Sequence, residues 1–96
     1  MVSSLQYSLC STAGLETVTD TPDSAATTLV RHLSEVAGDR AVEWMIAGPG
    51  GRIHHGRFEP PADRPASAAV ADYVDAVHGR LLRDAAQLMT AGLIAR

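Results

Sequence analysis

The stretch PASAAVADYVDAVHGRLLRDAAQLMTAGLI, residues 65–94, is the part of the sequence around which we predict the fold. Its apolar residues recur every three or four positions, the period that lines one face of an α-helix. The main row is Val70, Val74, Val77, Leu81, Ala85, Leu88 and Gly92. A second row beside its C-terminal half is Leu82, Ala86, Met89 and Leu93. We therefore predict one long helix whose apolar face widens toward its end.

The predicted length of this helix suggests a partner. At about 1.5 Å per residue the helix would be on the order of 40 Å long, whereas strands of ordinary length span about 17 to 24 Å. A glycine inside a helix costs only about 1 kcal/mol relative to alanine, so Gly79 does not force a break. We expect residues 82–93 to overhang the sheet and dock on another chain, the alternative being a break near Gly79 that folds the helix back. The predicted interface residues are Leu81, Leu82, Leu88, Met89 and Leu93.

A hairpin is predicted just before this helix. Residues 41–47 alternate between apolar and polar side chains, as half-buried strands do, and residues 52–58 are expected to complete the hairpin. The sequence GPGG at 48–51 predicts the turn, because proline presets one backbone dihedral and glycine accepts positive φ. The prolines at 60 and 61 predict a connector outside the sheet, and the long helix is expected to begin with Asp63 or Arg64 as its cap and Pro65 inside it.

The most distinctive polar residues lie on this hairpin. If its turn closes on Pro49 and Gly50, Ile53 and His55 face the core, opposite Ile46 and Trp44. His54 then lies on the outer face of the sheet, near Glu43 and Arg52. Such a group could bind an anion or transfer a proton. The simpler interpretation is a solvated face with a Glu-Arg pair, which we consider about three times as probable because sites usually need concavity. The candidate residues are Glu43, Arg52, His54, His55 and Arg57.

The N-terminal third predicts one or two strands. Leu5, Tyr7 and Leu9 alternate with polar residues, which indicates a strand. Residues 15–19 are rich in Thr and Val and predict a second strand that completes a hairpin, the alternative being an irregular arm.

A helix follows, opened by Thr21-Pro22-Asp23. Either Thr21 or Asp20 is expected as its N-cap, with the proline at the first helical position. Gly38 is the predicted stop.

The order of these elements is ββαββα, or βαββα if residues 15–19 form no strand. It predicts one α+β domain over residues 1–96, in which an antiparallel sheet of three or four strands carries both helices on one face.

Composition narrows the classes of function. The 96 residues carry a net charge of −3, which gives no general attraction to nucleic acid or to acidic membranes, so we expect neither as a partner. The one cysteine, Cys10, cannot form an intrachain disulfide. With no signal-like N-terminus and no long apolar run, a cytoplasmic protein is expected.

Motifs for chemistry are weak throughout the chain. GPGG is not followed by Lys-Ser or Lys-Thr, no GxSxG occurs, and nothing in the sequence places a base beside Cys10. The histidines show no HxH or HxxxH spacing, so no metal and no cofactor are predicted. We therefore expect a small non-catalytic accessory subunit that homodimerises or completes a partner protein through its C-terminal helix. The alternative is a small enzyme or ligand-binding protein with a His/Arg pocket on the 52–57 strand at a dimer interface.

Overall fold

A computed structural model describes residues 6–36 and 40–91. Their element order is ββαββα, as predicted, with one turn of 3₁₀ helix inside the second hairpin. The elements are β1 (Tyr7–Ser11), β2 (Glu16–Thr19), α1 (Pro22–Val36), β3 (Val42–Ala47), β4 (Ile53–Phe58) and α2 (Ala66–Thr90), with the 3₁₀ turn at Pro49–Gly51. The predicted strand residue Leu5 and the predicted stop Gly38 lie outside the described residues.

The four strands form one antiparallel sheet in the order β2-β1-β3-β4. Both helices cover the same face of this sheet, so the alternating apolar side chains of the strands meet the apolar rows of the helices in one core. The sheet residues of that core are Tyr7, Leu9, Val42, Trp44, Ile46 and Phe58. The two-layer α+β architecture predicted from the sequence is therefore confirmed, with four strands.

The N-terminal half follows its sequence pattern. The predicted second strand is present, and Gly14 in the turn before it has a φ of 95°. Thr21 caps α1, because the backbone N–H of Ser24 donates to the Thr21 hydroxyl at 2.9 Å. Leu29 and Leu33 of α1 are fully buried against the sheet.

The pairing of β3 with β4 differs from the prediction by one residue. Ile53 pairs with Ala47, and His54 pairs with Ile46. The cause is the turn, which holds three residues instead of two: Gly48 donates its backbone N–H to the carbonyl of Arg52 at 2.7 Å, outside the 3₁₀ segment. Because side chains alternate along a strand, this single step moves every β4 side chain to the opposite face.

Helix α2 is continuous through Gly79 and extends for 25 residues. It begins after Pro65 with no side-chain cap, so the predicted cap at Asp63 or Arg64 and the placement of Pro65 inside the helix were wrong. Proline at this position stabilises the helix start by its fixed φ, without a capping hydrogen bond.

The buried row of α2 continues nearly to its end. Leu81 and Leu88 are 0% and 2% exposed, so these two predicted interface residues belong to the chain's own core. The long second hairpin explains why, since its turn extends under the helix: a Cβ added to Gly50 would lie 2.8 Å from a methyl of Leu88. Leu82 is exposed and Met89 half-buried, while Gly92 and Leu93 lie outside the described residues.

Candidate functional site

The sheet face opposite the helices carries the candidate site. We call it the open sheet face, and it consists of every strand residue whose side chain points away from the core. Its members are Ser8, Cys10, Glu16, Val18, Glu43, Met45, Ala47, Ile53, His55 and Arg57.

The strand register arranges this face in rows that run across the sheet. The row nearest the 48–51 turn is Val18, Ser8, Ala47 and Ile53. The middle row is Glu16, Cys10, Met45 and His55. The third row contains Glu43 and Arg57, beside Thr12 just past β1, whose hydroxyl accepts the backbone N–H of Glu43 at 3.1 Å. The first row therefore contains no charged side chain, and the charged side chains lie in the second and third rows.

The open sheet face concentrates exposed apolar area. Within residues 6–36 and 40–91, the large hydrophobic side chains that are exposed are Val18 (60%), Met45 (40%), Ile53 (59%) and Leu82 (47%). Three of these four lie on the open sheet face, and only Leu82 lies on a helix. Antiparallel sheets that face water usually carry polar side chains on that side, so the exposed apolar area of the open sheet face departs from the usual pattern.

The acidic and basic side chains of the open sheet face lie on different strands. Glu16 lies on edge strand β2, whereas His55 and Arg57 lie on the other edge strand, β4. Glu43 is directly opposite Arg57 rather than beside Arg52, which lies in the connection before β4. Arg57 also contacts Glu59 at 3.1 Å, an exposed pair of the kind that contributes little stability.

His54, which was predicted to lie on the outer face, is the site residue that the structure places against a helix. It lies on the helix side of the sheet, where its Nε2 is 2.7 Å from a carboxylate oxygen of Asp84 on α2. The two side chains are 12% and 24% exposed, so the contact links sheet and helix within the layer between them. Tyr7 lies in the same region, and its pKa is raised by burial and, to a lesser extent, by the Asp84 carboxylate. His54 and His55 thus face opposite sides of the sheet, as predicted, but His54 faces the helices and His55 the open sheet face, the reverse of the prediction.

His32 forms a second polar contact inside the fold. The Ser11 hydroxyl oxygen accepts the backbone N–H groups of Ala13 and Leu15 at 3.1 and 3.2 Å and lies 2.6 Å from His32 Nε2. With both N–H groups directed at its oxygen, Ser11 donates its own proton to His32, which requires a neutral imidazole. Burial lowers the pKa of His32, and the nearby Glu35 carboxylate opposes this only in part. The contact thus ties α1 to the first hairpin.

The remaining histidine on a helix, His78, contacts Asp23 at 2.6 Å across a groove between α1 and α2. The groove encloses about 460 Å³. Each of these three histidines therefore has a different partner on a different element. Among the described residues, no three His, Cys, Asp or Glu side chains come together as a metal site would require.

Cys10 lies on the open sheet face and borders two shallow depressions of about 410 Å³ each. His55 shares one of these depressions and the same row, with Met45 on the strand between them. Two strand spacings separate the two side chains by about 10 Å, which is too far for direct proton transfer from a thiol to an imidazole. The arrangement therefore does not form a cysteine-histidine pair.

Comparison of the chain with models of known protein families, with curated proteins and with solved structures gives no match. In the described part of the chain, neither helix combines the length and the apolar character needed to cross a bilayer. The chain is a small two-layer α+β fold in which residues 6–36 and 40–91 leave one sheet face uncovered.

Proposed function

We propose that this chain is a small non-catalytic interaction subunit and that it binds its protein partner through the open sheet face. The observation that carries the proposal is that Val18, Met45 and Ile53 are all exposed on one face of the sheet, with Met45 near its centre and Val18 and Ile53 on its two edge strands. A surface of this kind gains free energy when a partner removes it from water, at about 25 cal/mol per Å² of apolar area. We include a cytoplasmic location in the proposal, because Cys10 has no partner for an intrachain disulfide.

The proposal moves the contact surface away from the C-terminal helix. Leu81 and Leu88 already pack in the chain's own core and have no area left to offer. Of the predicted interface residues within the described range, Leu82 retains most exposure, but it lies alone on α2. A single exposed leucine is ordinary on a protein surface.

The residues of the predicted His/Arg pocket lie on both sides of the sheet, which supports a non-catalytic function. His54 is held by Asp84 on the helix side, whereas Glu43, His55 and Arg57 lie on the other side of the sheet. General acid-base catalysis needs groups that converge on one reacting atom. Glu43 and His55 border only a shallow depression, whereas ligand and catalytic sites are usually concave.

Site-specific photo-crosslinking in cells that naturally produce the protein tests this proposal. Met45→p-benzoylphenylalanine and Ile53→p-benzoylphenylalanine should each form a discrete protein adduct on irradiation. Leu82→p-benzoylphenylalanine is the matched control, because its side chain is as exposed as that of Met45 but lies on α2. Adducts from position 82 alone would indicate that the interface lies on α2 and not on the open sheet face. The absence of adducts from all three positions would contradict an interaction function.

A further inference from the structure

We propose that the partner of the open sheet face is a second copy of this chain, packed face to face about a two-fold axis that runs parallel to the strands between β1 and β3. The inference rests on the proposed function, because it assigns an occupant to the same surface. It follows from the order of the strands and from the positions of the charges on them.

The strand order makes the apolar positions self-complementary. A two-fold axis along the strands reverses the order β2-β1-β3-β4 in the second copy, so β2 lies over β4 and β1 over β3. Residues keep their row under this rotation. Val18 then packs on Ile53 of the second copy, and Cys10 packs on Met45 of the second copy, each contact occurring twice. All three exposed hydrophobic side chains of the face thereby lose contact with water.

The same rotation brings opposite charges together. Glu16 lies in the middle row of β2, and His55 occupies that row on β4. In the dimer Glu16 therefore faces His55 of the second copy and lies one residue pair, about 7 Å along the strand, from its Arg57. Packed sheets are about 10 Å apart, a separation that glutamate and arginine side chains can span together. Each dimer would contain two such contacts between a carboxylate and a basic side chain.

The competing two-fold arrangement is unfavourable. In that arrangement the two-fold axis lies between the two sheets and runs perpendicular to the strands. Each strand then faces the same strand of the second copy, and the first row faces the third. Glu16 would then face Glu16 of the second copy, and Ile53 would face Arg57 of the second copy. Like charges in contact oppose association, and an apolar side chain against a guanidinium leaves the charge poorly solvated. The charge pattern therefore selects the axis parallel to the strands.

The size of the face indicates how tightly the copies bind. Four strands are about 19 Å wide and three rows about 20 Å long, a footprint on the order of 400 Å² per copy. The total of about 800 Å² is below the roughly 1,200 Å² of stable interfaces, so the dimer should be reversible and visible only at micromolar or higher concentration.

Sedimentation velocity from about 5 μM to about 500 μM protein tests the inference through charge reversal. Glu16→Arg and Arg57→Glu should each weaken dimerisation by about tenfold or more, because each change removes two attractive contacts and creates repulsion. The double variant should return close to the wild-type dissociation constant. Arg31→Glu is the matched control for the change in net charge, since Arg31 is exposed on α1, away from the sheet, and it should have no effect. Circular dichroism of each variant verifies that it is folded.

The outcomes separate the inference from the proposed function. A wild-type dimer that Met45→Asp dissociates but that neither charge reversal weakens would overturn the proposed arrangement. A monomer at every concentration, together with a photo-adduct of another protein at position 45, would overturn the second copy as partner while the proposed function stands. A monomer that forms no adduct in cells would contradict both.

Discussion

Gly56→Ala should destabilise the fold strongly, because the core was built around the missing side chain at this position. A Cβ on Gly56 would lie 2.6 Å from the Tyr73 hydroxyl oxygen and 2.8 Å from Cζ2 of Trp44. Neither ring can easily withdraw: Trp44 is 3% exposed, and its indole N–H donates to that same Tyr73 oxygen at 2.8 Å. Tyr73 in turn packs on Phe58, with ring centroids 5.2 Å apart.

The magnitude follows from three contributions. Overpacking a core by one methyl group costs typically about 1 to 3 kcal/mol. Weakening the Trp44–Tyr73 hydrogen bond costs about 1 kcal/mol more. The lower entropy of alanine in the unfolded chain returns roughly 0.5 kcal/mol. We expect a net loss of about 1.5 to 3.5 kcal/mol, which for a domain of this size lowers the melting temperature by roughly 6 to 28 °C.

Urea denaturation followed by circular dichroism measures the change, and Gly79→Ala provides the matched control. Gly79 lies inside α2, and a Cβ there would meet nothing within 4 Å. Replacing a helical glycine of this kind should stabilise the protein by about 0.5 to 1 kcal/mol. The reasoning would be refuted if Gly56→Ala changed the free energy of unfolding by less than about 0.5 kcal/mol, since the ring positions would then not be fixed as described.

Three further predictions concern polar contacts and the end of α2. The lowered pKa of His32 means that the unfolded chain binds a proton more readily than the folded one, so stability should fall as the pH drops below 6.5. Denaturation curves of His32→Gln should show a weaker decline of stability with falling pH, and a decline that the substitution leaves unchanged would mean that other groups cause it. Leu88→Asp should unfold the protein, whereas Leu82→Asp should shift its melting temperature by only a few degrees, because Leu88 is buried and Leu82 is 47% exposed. A double-mutant cycle of His54→Ala and Asp84→Ala should give a coupling free energy of about 1 kcal/mol, and additive effects would contradict the observed pair.

The secondary structure could be predicted because each element carries a local signal. Alternation with period two marks the strands, and the spacing of three and four marks the helices, so neither depends on knowing what packs where. Thr21-Pro22-Asp23 marks the start of α1 in the same local way. The start of α2 was misplaced because Asp63 is a good local candidate for a cap that the chain does not use.

The candidate site was predicted less well because it depends on register. A loop of two residues and one of three both suit Pro49-Gly50-Gly51, and the choice between them exchanges the faces of β4. The contact of His54 with Asp84 was missed for a further reason. Asp84 sits among charged residues of α2 that local spacing assigns to solvent, and its partner is distant in the sequence.

The composition of β4 as a whole nevertheless contains the information that selects the register. The predicted pairing would place Ile53, His55 and Arg57 in the core, whereas the observed pairing places His54, Gly56 and Phe58 there. The free energy gained by burying Phe58 is about the same as the free energy lost by exposing Ile53, roughly 1.5 to 3 kcal/mol each. These two changes therefore nearly cancel. Burying the Arg57 guanidinium without a partner would cost several kcal/mol more. The charge of Arg57 therefore favours the same register that the three-residue turn produces.

The same physical constraints fix the direction of the other apolar residues of the open sheet face. The exposure of Ile53 is imposed by the register, because any pairing that keeps Arg57 out of the core also turns Ile53 outward. Met45 is turned outward by the burial of Trp44 and Ile46 on either side of it in β3. A polar residue at position 18, 45 or 53 would cost the core nothing, since none of these three side chains contributes to it. Their apolar character therefore supports the proposed contact surface, and Met45, at the centre of the face, is the position at which substitution by aspartate should affect association most.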